Sequence, residues 1–330
     1  KGSWWSGGVS ASLEEATGAL TPQSARLTGI PLMRGQNPKR AGLTFDGVPL
    51  FHSGLREGPS GIPLGTLDPA AIDGFRTVYG PGATRSPTGS IAGLIDIRSS
   101  LVVGRESSVL FRQSLSSADR GWVGGVAAGG ELLGVTYRVG GSGKLLGDLR
   151  TGSSGGTQPY TSLRESTAYG LFSTKVGRRW TVSAGAIGSW RDGQSVVGDL
   201  ERLGLTPMPE VVTVFDPRHF MVAYASGRVR DLGLVDALES TLWVSSHREA
   251  RTFRRHGWNR TVFDDDGLSA VGARFAAIMR PVRGHTVSVD MDARFESADA
   301  TRFEVRDDQS VWGMRGRFPV GSRLSLMTLG

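Results

Sequence analysis

The chain has 330 residues, a net charge of +7, no cysteine and 48 glycines, a glycine share about twice the usual one. Without cysteine there is no disulfide framework, no thiolate nucleophile and no cysteine-bound zinc or iron–sulfur centre. No long unbroken apolar run occurs, which excludes a transmembrane helix but not a transmembrane β-barrel, where apolar residues alternate with lumen-facing polar ones.

The chain divides near residue 105. Before it, glycine and proline punctuate short apolar runs. Residues 30–34 (IPLMR) and 41–46 (AGLTFD) read as short strands around a loop, GQNPKR. Asp46-Gly47 is a tight-turn dipeptide, since glycine permits positive φ and aspartate can bond its own backbone. Asp68-Pro69 suits a helix start, with Asp68 as N-cap and Pro69 in the first helical position. A strand follows at 74–79, then a Gly80-Pro81-Gly82 turn, then a strand at 93–97 (GLIDI).

After residue 105 the apolar period is two. Strands are expected near 107–116, 121–130, 132–141, 165–176, 180–191, 218–229, 237–248, 267–279, 285–296, 309–318 and 323–329. Trp180, Val182, Ala184, Ala186 and Trp190 share one face, with Ile187 the exception on the other. From Thr286, the residues Val287, Val289, Met291, Ala293 and Phe295 oppose Ser288, Asp290, Asp292, Arg294 and Glu296. The polar face could meet bulk water in a sandwich or a lumen in a barrel. Trp180 and Trp190 would lie roughly 24 Å apart along the axis of a tilted barrel, close to the height of an outer-membrane apolar band.

The links separate these cases. Long links at 142–164, 192–217, 249–266 and 297–308 mostly alternate with short ones at 177–179, 230–236, 280–284 and 319–322. Long loops on one side and short turns on the other describe an outer-membrane barrel. A sandwich has no reason to keep that parity.

Other motifs carry less chemistry. The basic cluster from His247 to Arg260 (HREARTFRRHGWNR) reads as a solvated loop, and no nucleic-acid motif accompanies it. Asp264-Asp265-Asp266 lacks calcium-loop spacing and reads as a loop tip. GSGKLLG at 141–147 lacks the full phosphate-loop pattern and reads as a barrel loop. His52, His219, His247, His256 and His285 lack metal-ligand spacing. No catalytic constellation, metal site or cofactor is read from the chain, and an enzyme is not expected.

Residues 30–99 resemble the plug domain of TonB-dependent outer-membrane receptors. The matching pieces stand in order: LMRG at 32–35, DGVPL at 46–50, LDPAAIDGFRTVYGPG at 67–82 and GSIAGLIDIRS at 89–99. The structural signature residues are Arg34, Gly35, Asp46, Gly47, Gly80, Pro81 and Gly93. GDLRTG at 147–152, QPY at 158–160 and FDP at 215–217 resemble early-barrel segments of the same family. The sequence departs where the family usually has arginine before the Gly-Pro turn (here Tyr79) and an acid two residues earlier (here Thr77). Asp73 and Arg76 are what remain of the strand's charges.

The resemblance implies a mainly β protein. A small α+β plug (1–104) is followed by an antiparallel transmembrane barrel (105–330) with about 10–11 of an expected 22 strands. A full wall at this spacing would need on the order of 450 residues, so the chain is expected to be a fragment. This expectation agrees with a start at Lys1 without a signal peptide and an end within an alternating stretch, RLSLMTLG. No TonB box is identified near Lys1.

The implied function is active uptake of a scarce nutrient, such as a ferric siderophore, haem or another metal chelate, across the outer membrane of a Gram-negative bacterium. The implied partners are TonB with the ExbB/ExbD complex, outer-membrane lipid, lipopolysaccharide and a small chelate, with no nucleic acid and a monomeric state. Arg34, Gln36, Asn37, Arg40, Phe51, His52 and Arg56 lie on or beside the expected apical loops and are the candidate ligand contacts. Arginine and an aromatic suit an anionic chelate, and His52 could instead ligate haem iron. The alternatives are a signalling or adhesion receptor without transport, and a soluble β-rich binding protein.

Overall fold

The computed structural model describes residues 8–17, 20–21, 29, 31–36, 40–50, 64–80, 92–102, 107–150, 156–196, 211–280, 285–314, 316 and 322–329. The small sheet comprises β1 (Ala41–Phe45), β2 (Val48–Pro49), β3 (Ile72–Tyr79) and β4 (Gly93–Ser99), in the order β2-β1-β4-β3. β1 and β4 are parallel, and the other two pairings are antiparallel. A helix, α1 (Gly8–Thr17), lies against β3, where Tyr79 Oη donates to the Thr17 carbonyl at 2.9 Å.

Local chemistry explains the turns. Asp46 (φ 48°) and Gly47 (φ 81°) form a two-residue hairpin loop between the paired residues Phe45 and Val48. Left-handed backbone at both positions matches the twist of the flanking strands, and Asp-Gly tolerates it best. Asp68 caps a short 3-10 turn at Pro69–Ala71, its Oδ1 accepting from Ala70 N at 2.8 Å. Gly93 has φ 140°, and a Cβ there would sit 2.5 Å from the Val78 carbonyl oxygen, so no side chain fits. The strand expected over 30–34 is not formed among its described residues. Leu32 makes one isolated bridge to Leu20, and the chain turns over Met33–Gln36.

The large sheet is an antiparallel wall. It runs through β5 (Ser108–Ser116), β6 (Gly121–Leu132), β7 (Val135–Leu146), β10 (Leu163–Val176), β11 (Trp180–Asp192), β13 (Val211–Leu232), β14 (Val235–Arg255), β15 (Arg260–Met279) and β16 (Val287–Arg306) to β17 (Val311–Met314). A small hairpin, β8 (Leu149–Arg150) with β9 (Thr157–Gln158), lies between β7 and β10. β12 (Gln194–Ser195) continues the pairing of β11 along β13, and β18 (Ser322–Leu329) pairs with β16 beside β17. Among the described residues the wall therefore has ten strand positions, with β5 at one edge and β17 and β18 at the other.

Several expected boundaries move. The strands expected at 309–318 and 323–329 share one edge of β16 and form a single position, not a hairpin. Residues 249–266 and 297–308 are not long loops. β14 runs to Arg255 and β15 starts at Arg260, while β16 runs to Arg306. Asp264-Asp265-Asp266 therefore lies within β15, and most of the basic cluster lies within β14. GSGKLLG likewise belongs mainly to β7, where Lys144 is buried. On a wall whose inner face is polar, such residues continue the strand instead of marking a solvated tip.

The two faces of the wall differ in chemistry. Trp180 (52% exposed), Val182 and Trp190 (45%) point outward, as do Leu242, Val244, Val271, Phe275, Met291 and Phe295. Ile187 faces inward and is 1% exposed. It joins Leu171, Val222 and Trp243 of the wall and Phe45, Leu43, Ile95 and Ile97 of the small sheet in one hydrophobic cluster. Ile187 breaks the apolar alternation because the concave face is covered by the small sheet.

The outward face also changes along its height. The rung that pairs Trp190 with His219 and His219 with Arg248 runs on through Gly267 to Asp299, and above it the outward residues include Asp265 and Thr301. The short connections 133–134, 177–179 and 233–234 lie at the other end. A strand of some 20 residues tilted by about 45° rises roughly 50 Å, about twice the height of a lipid-facing band. The upper part of β13–β16 thus extends the wall beyond the apolar belt. Among the described residues, no helix is long and apolar enough to cross a membrane.

Candidate functional site

Of the described signature residues, Arg34, Gly35, Gly80 and Gly93 gather at one end of the small sheet, and Asp46 and Gly47 form the turn at the other. Arg34 (φ 53°) and Gly35 (φ 67°) occupy a left-handed turn, closed by Gln36 N donating to the Met33 carbonyl at 3.0 Å. An Arg34 guanidinium nitrogen lies 3.5 Å from the position of a Cβ on Gly80, and Met33 packs against Gly93. Ala92 N donates to the Arg40 carbonyl at 2.9 Å, which ties the start of β1 to the start of β4. The side chains of Arg34, Gln36 and Arg40 are exposed. Asn37, Phe51, His52, Arg56 and Pro81 lie outside the described residues.

The small sheet is joined to the wall by a polar seam at its opposite end. Asp46 accepts from Ser99 N at 2.9 Å through Oδ1 and from Tyr224 Oη at 2.5 Å through Oδ2. Asp68 Oδ2 accepts from Thr167 Oγ1 at 3.0 Å, and Thr167 is hydrogen-bonded to Ser142 at 2.7 Å. Arg191 Nη2 donates to the Gly65 carbonyl at 2.6 Å, and Arg138 Nε to the Ala70 carbonyl at 3.4 Å. Asp73 and Arg76, the charges left in β3, are exposed. The turn residues Asp46 and Asp68, with two backbone carbonyls, make the seam instead.

Asp96 lies just inside it. Its Oδ1 accepts from Thr44 Oγ1 at 2.6 Å and from Gly47 N at 3.0 Å, which braces the Asp46-Gly47 turn. Burial pushes its carboxyl above the ordinary carboxylate value, against the two hydrogen bonds that pull it down.

Sequence reading missed a rung of buried charge on the concave face. Register places Lys144, Glu165, Arg191, Arg218 and Glu249 side by side across β7, β10, β11, β13 and β14. Glu165 is ion-paired with both Lys144 and Arg191, and Arg218 Nη2 pairs with Glu249 at 2.8 Å. Arg191 and Arg218 are direct cross-strand neighbours of like charge, an unfavourable arrangement. Gln194 Oε1 accepts from Nη1 of each arginine, both at 3.1 Å. One amide oxygen thus bridges the two cations. Higher up, Asp264 pairs with Arg251 and Arg302, both at 2.5 Å. The available signal was alternation: these residues occupy the non-apolar phase of their strands.

This arrangement can seat a small domain against a charged wall through a few directional bonds. Loss of those bonds exposes groups that the wet lumen can solvate.

No protein-family model and no curated protein matches the chain. Solved structures do match. A copper transporter, OprC, is 15% identical with a TM-score of 0.69, covering 92% of this chain and 48% of that one. The unliganded ferric citrate transporter FecA is 14% identical with a TM-score of 0.73, covering 96% and 49%. The siderophore receptor PiuA from Acinetobacter baumannii is 9% identical with a TM-score of 0.62, covering 94% and 49%. The chain spans about half the length of these structures. With a small mixed sheet seated on the concave face of an antiparallel wall, it has the plug-and-barrel fold of TonB-dependent outer-membrane receptors.

Proposed function

We propose that the protein serves active uptake of a scarce nutrient, a metal chelate such as a ferric siderophore or haem, across the outer membrane of a Gram-negative bacterium, driven by TonB with ExbB/ExbD. The observation that carries this reading is the seam: a plug held on the wall by a few hydrogen bonds beside one apolar cluster, with no covalent link between them but the chain itself, can be shifted by a pull on its N-terminal side. The names of the structural neighbours, which include transporters of copper and ferric citrate and a siderophore receptor, support the cargo class. Arg34, Gln36, Asn37, Arg40, Phe51, His52 and Arg56 are proposed to hold the chelate from the plug side by charge-assisted bonds and stacking.

The test uses cells expressing the complete receptor. Uptake of a radiolabelled metal chelate should exceed that of the deletion strain and vanish when TonB is absent. Equal uptake in the three strains, across a panel of ferric, haem and copper chelates, would overturn the reading. Alanine at Arg40, His52 and Arg56 together should weaken chelate binding by about tenfold or more.

A further inference from the structure

On the outside of the wall, the upper reach of β13–β17 carries a second apolar patch that the uptake reading does not use. Two cross-strand rungs build it. One pairs Val214 with Thr252, Thr252 with Phe263, and Phe263 with Phe303. The next pairs Val212 with Arg254 and, further along, Val305 with Val311. These residues alternate with Val262, Asp264 and Glu304, which are buried on the concave side. The Phe263 and Phe303 rings stack with centroids 5.1 Å apart, and Phe303 is 39% exposed.

Height separates this patch from the lipid belt. Phe295 and Phe303 share the outward face of β16, eight residues apart. That is about 27 Å along the strand and roughly 19 Å along the axis at a tilt near 45°. The headgroup layer is only about 6 Å deep on each side of a bilayer. Polar rungs fill the interval: Ser246, Ser269 and Ser297, then Arg248 and Asp299, then Asp265 and Thr301. Acyl chains therefore end well below the patch, and its apolar groups stand in water. A patch of this kind, rimmed by polar residues, marks an interaction surface.

We propose that the patch is the contact between two copies of the receptor lying side by side in the outer membrane, related by a twofold axis along the membrane normal. Two observations select a second copy. The first is direction. The patch faces sideways, parallel to the membrane plane, and a second copy held by the same belt presents the same surface at the same height. A twofold contact requires such a self-complementary patch. The second is charge. The chain carries +7, yet the rim is neutral. Arg248 pairs with Asp265 below at 2.8 Å, and Arg254 with Asp307 above at 3.1 Å. These pairs can exchange across the axis without net repulsion, whereas a strongly acidic or basic partner finds no excess charge to match. Confinement to one plane with a fixed orientation lowers the ordering cost of association, so a small contact suffices. The twofold pair stands in place of the monomeric state that the family resemblance implies. The inference rests on the outer-membrane placement and is independent of the cargo.

The test uses the complete receptor, expressed in the same cells with two different tags. Residues 1–330 contain no cysteine, so an introduced thiol meets no competitor among them. Thr252→Cys, beside Phe263, should give a disulfide-linked dimer when intact cells are oxidised. Ser269→Cys, on the same face but within the polar interval, should give about tenfold less. Pull-down through one tag should recover the other in the linked band. Adding Phe263→Glu/Phe303→Glu to Thr252→Cys should cut the dimer about tenfold or more. Phe263→Thr/Phe303→Thr, which keeps β propensity, should fall between, and it decides the matter if the glutamates prevent insertion. Equal linking of Thr252→Cys and Ser269→Cys would reveal random collision and overturn the proposal. So would the absence of a linked band, or a band without the second tag, which assigns the patch to a different protein. Outer-membrane fractionation and heat-modifiable gel migration of the same samples keep the failures apart. Loss of either in the wild type sinks the membrane placement, whereas loss of the dimer with both intact sinks only the twofold contact.

Discussion

Tyr224, from the middle of β13, donates its hydroxyl to Asp46 Oδ2 at 2.5 Å, joining residues 178 apart in sequence. The bond places a wall side chain on the tightest turn of the plug. The same tyrosine packs edge-on against Phe45, with ring centroids 6.3 Å apart. One residue thus contributes both an apolar contact and a directional bond to the seam.

Tyr224→Phe keeps the ring and removes the hydroxyl. A hydrogen bond to a charged acceptor is worth about 1.5–3 kcal/mol. Amide exchange over residues 41–50 should therefore quicken by about tenfold or more, while exchange in β14 and β15 stays unchanged. Identical exchange over 41–50 would remove Asp46–Tyr224 from the seam.

Glu165 is the single anion between Lys144 and Arg191 on the buried rung. Glu165→Gln leaves two buried cations without a counter-charge, a change that costs about 3–5 kcal/mol in comparable sites. The temperature of heat-modifiable migration should drop clearly. Replacing all three residues with apolar ones of similar volume should recover much of the loss. A triple variant as unstable as Glu165→Gln would show that packing, not uncompensated charge, sets the cost.

Gln194 invites a sharper comparison. Gln194→Leu removes the acceptor shared by Arg191 and Arg218 and should destabilise by about 1–3 kcal/mol. Gln194→Glu keeps the acceptor and adds a negative charge between two positive ones, so it should be neutral or stabilising. Thermal unfolding of the two variants side by side checks this. Destabilisation of equal size in both would mean that the amide nitrogen, not Oε1, matters.

The division of the wall into two faces was legible in the sequence because side-chain alternation survives any detail of register. Trp180, Val182 and Trp190 face outward together, and the odd residue, Ile187, marks contact with the plug. The Asp46-Gly47 turn and the Asp68 cap were legible because each depends on local backbone chemistry. Strand ends were not. Arg251, Asp264 and Arg302 come from three strands, and only their pairing makes a strand of what looks like a polar loop. The seam was hidden for the same reason: Thr167 and Asp68 are 99 residues apart, and neither is unusual alone. Of the candidate ligand contacts, Arg34, Gln36 and Arg40 are exposed.

Asp96 supports a pH prediction. Its carboxyl is raised by burial, so the folded plug holds a proton more tightly than the unfolded chain. The sign follows: this group's contribution is fully present below the ordinary carboxylate value and is lost as pH rises through the raised one. Asp96→Asn keeps an oxygen for Thr44 and Gly47 and carries no charge. Exchange over residues 41–50 should depend on pH just above the ordinary carboxylate value in the wild type and less so in the variant. Parallel profiles would place the pH dependence elsewhere.

Ile187 and Leu242 offer the clearest test of which face meets lipid. Ile187 is 1% exposed on the concave side, and Leu242 is 64% exposed on the convex side. In a water-soluble sandwich, arginine at Leu242 would be innocuous, because the convex face would already be wet. In a bilayer, arginine on the lipid face near the midplane costs about 2–4 kcal/mol. Ile187→Ala removes buried methyl groups between wall and plug and should cost about 2–4 kcal/mol in either setting. Leu242→Arg should therefore reduce heat-modifiable protein in outer-membrane fractions, whereas Leu242→Val should not. Ile187→Ala should leave insertion intact but quicken amide exchange in the plug. Normal insertion of Leu242→Arg would assign the convex apolar band to something other than lipid.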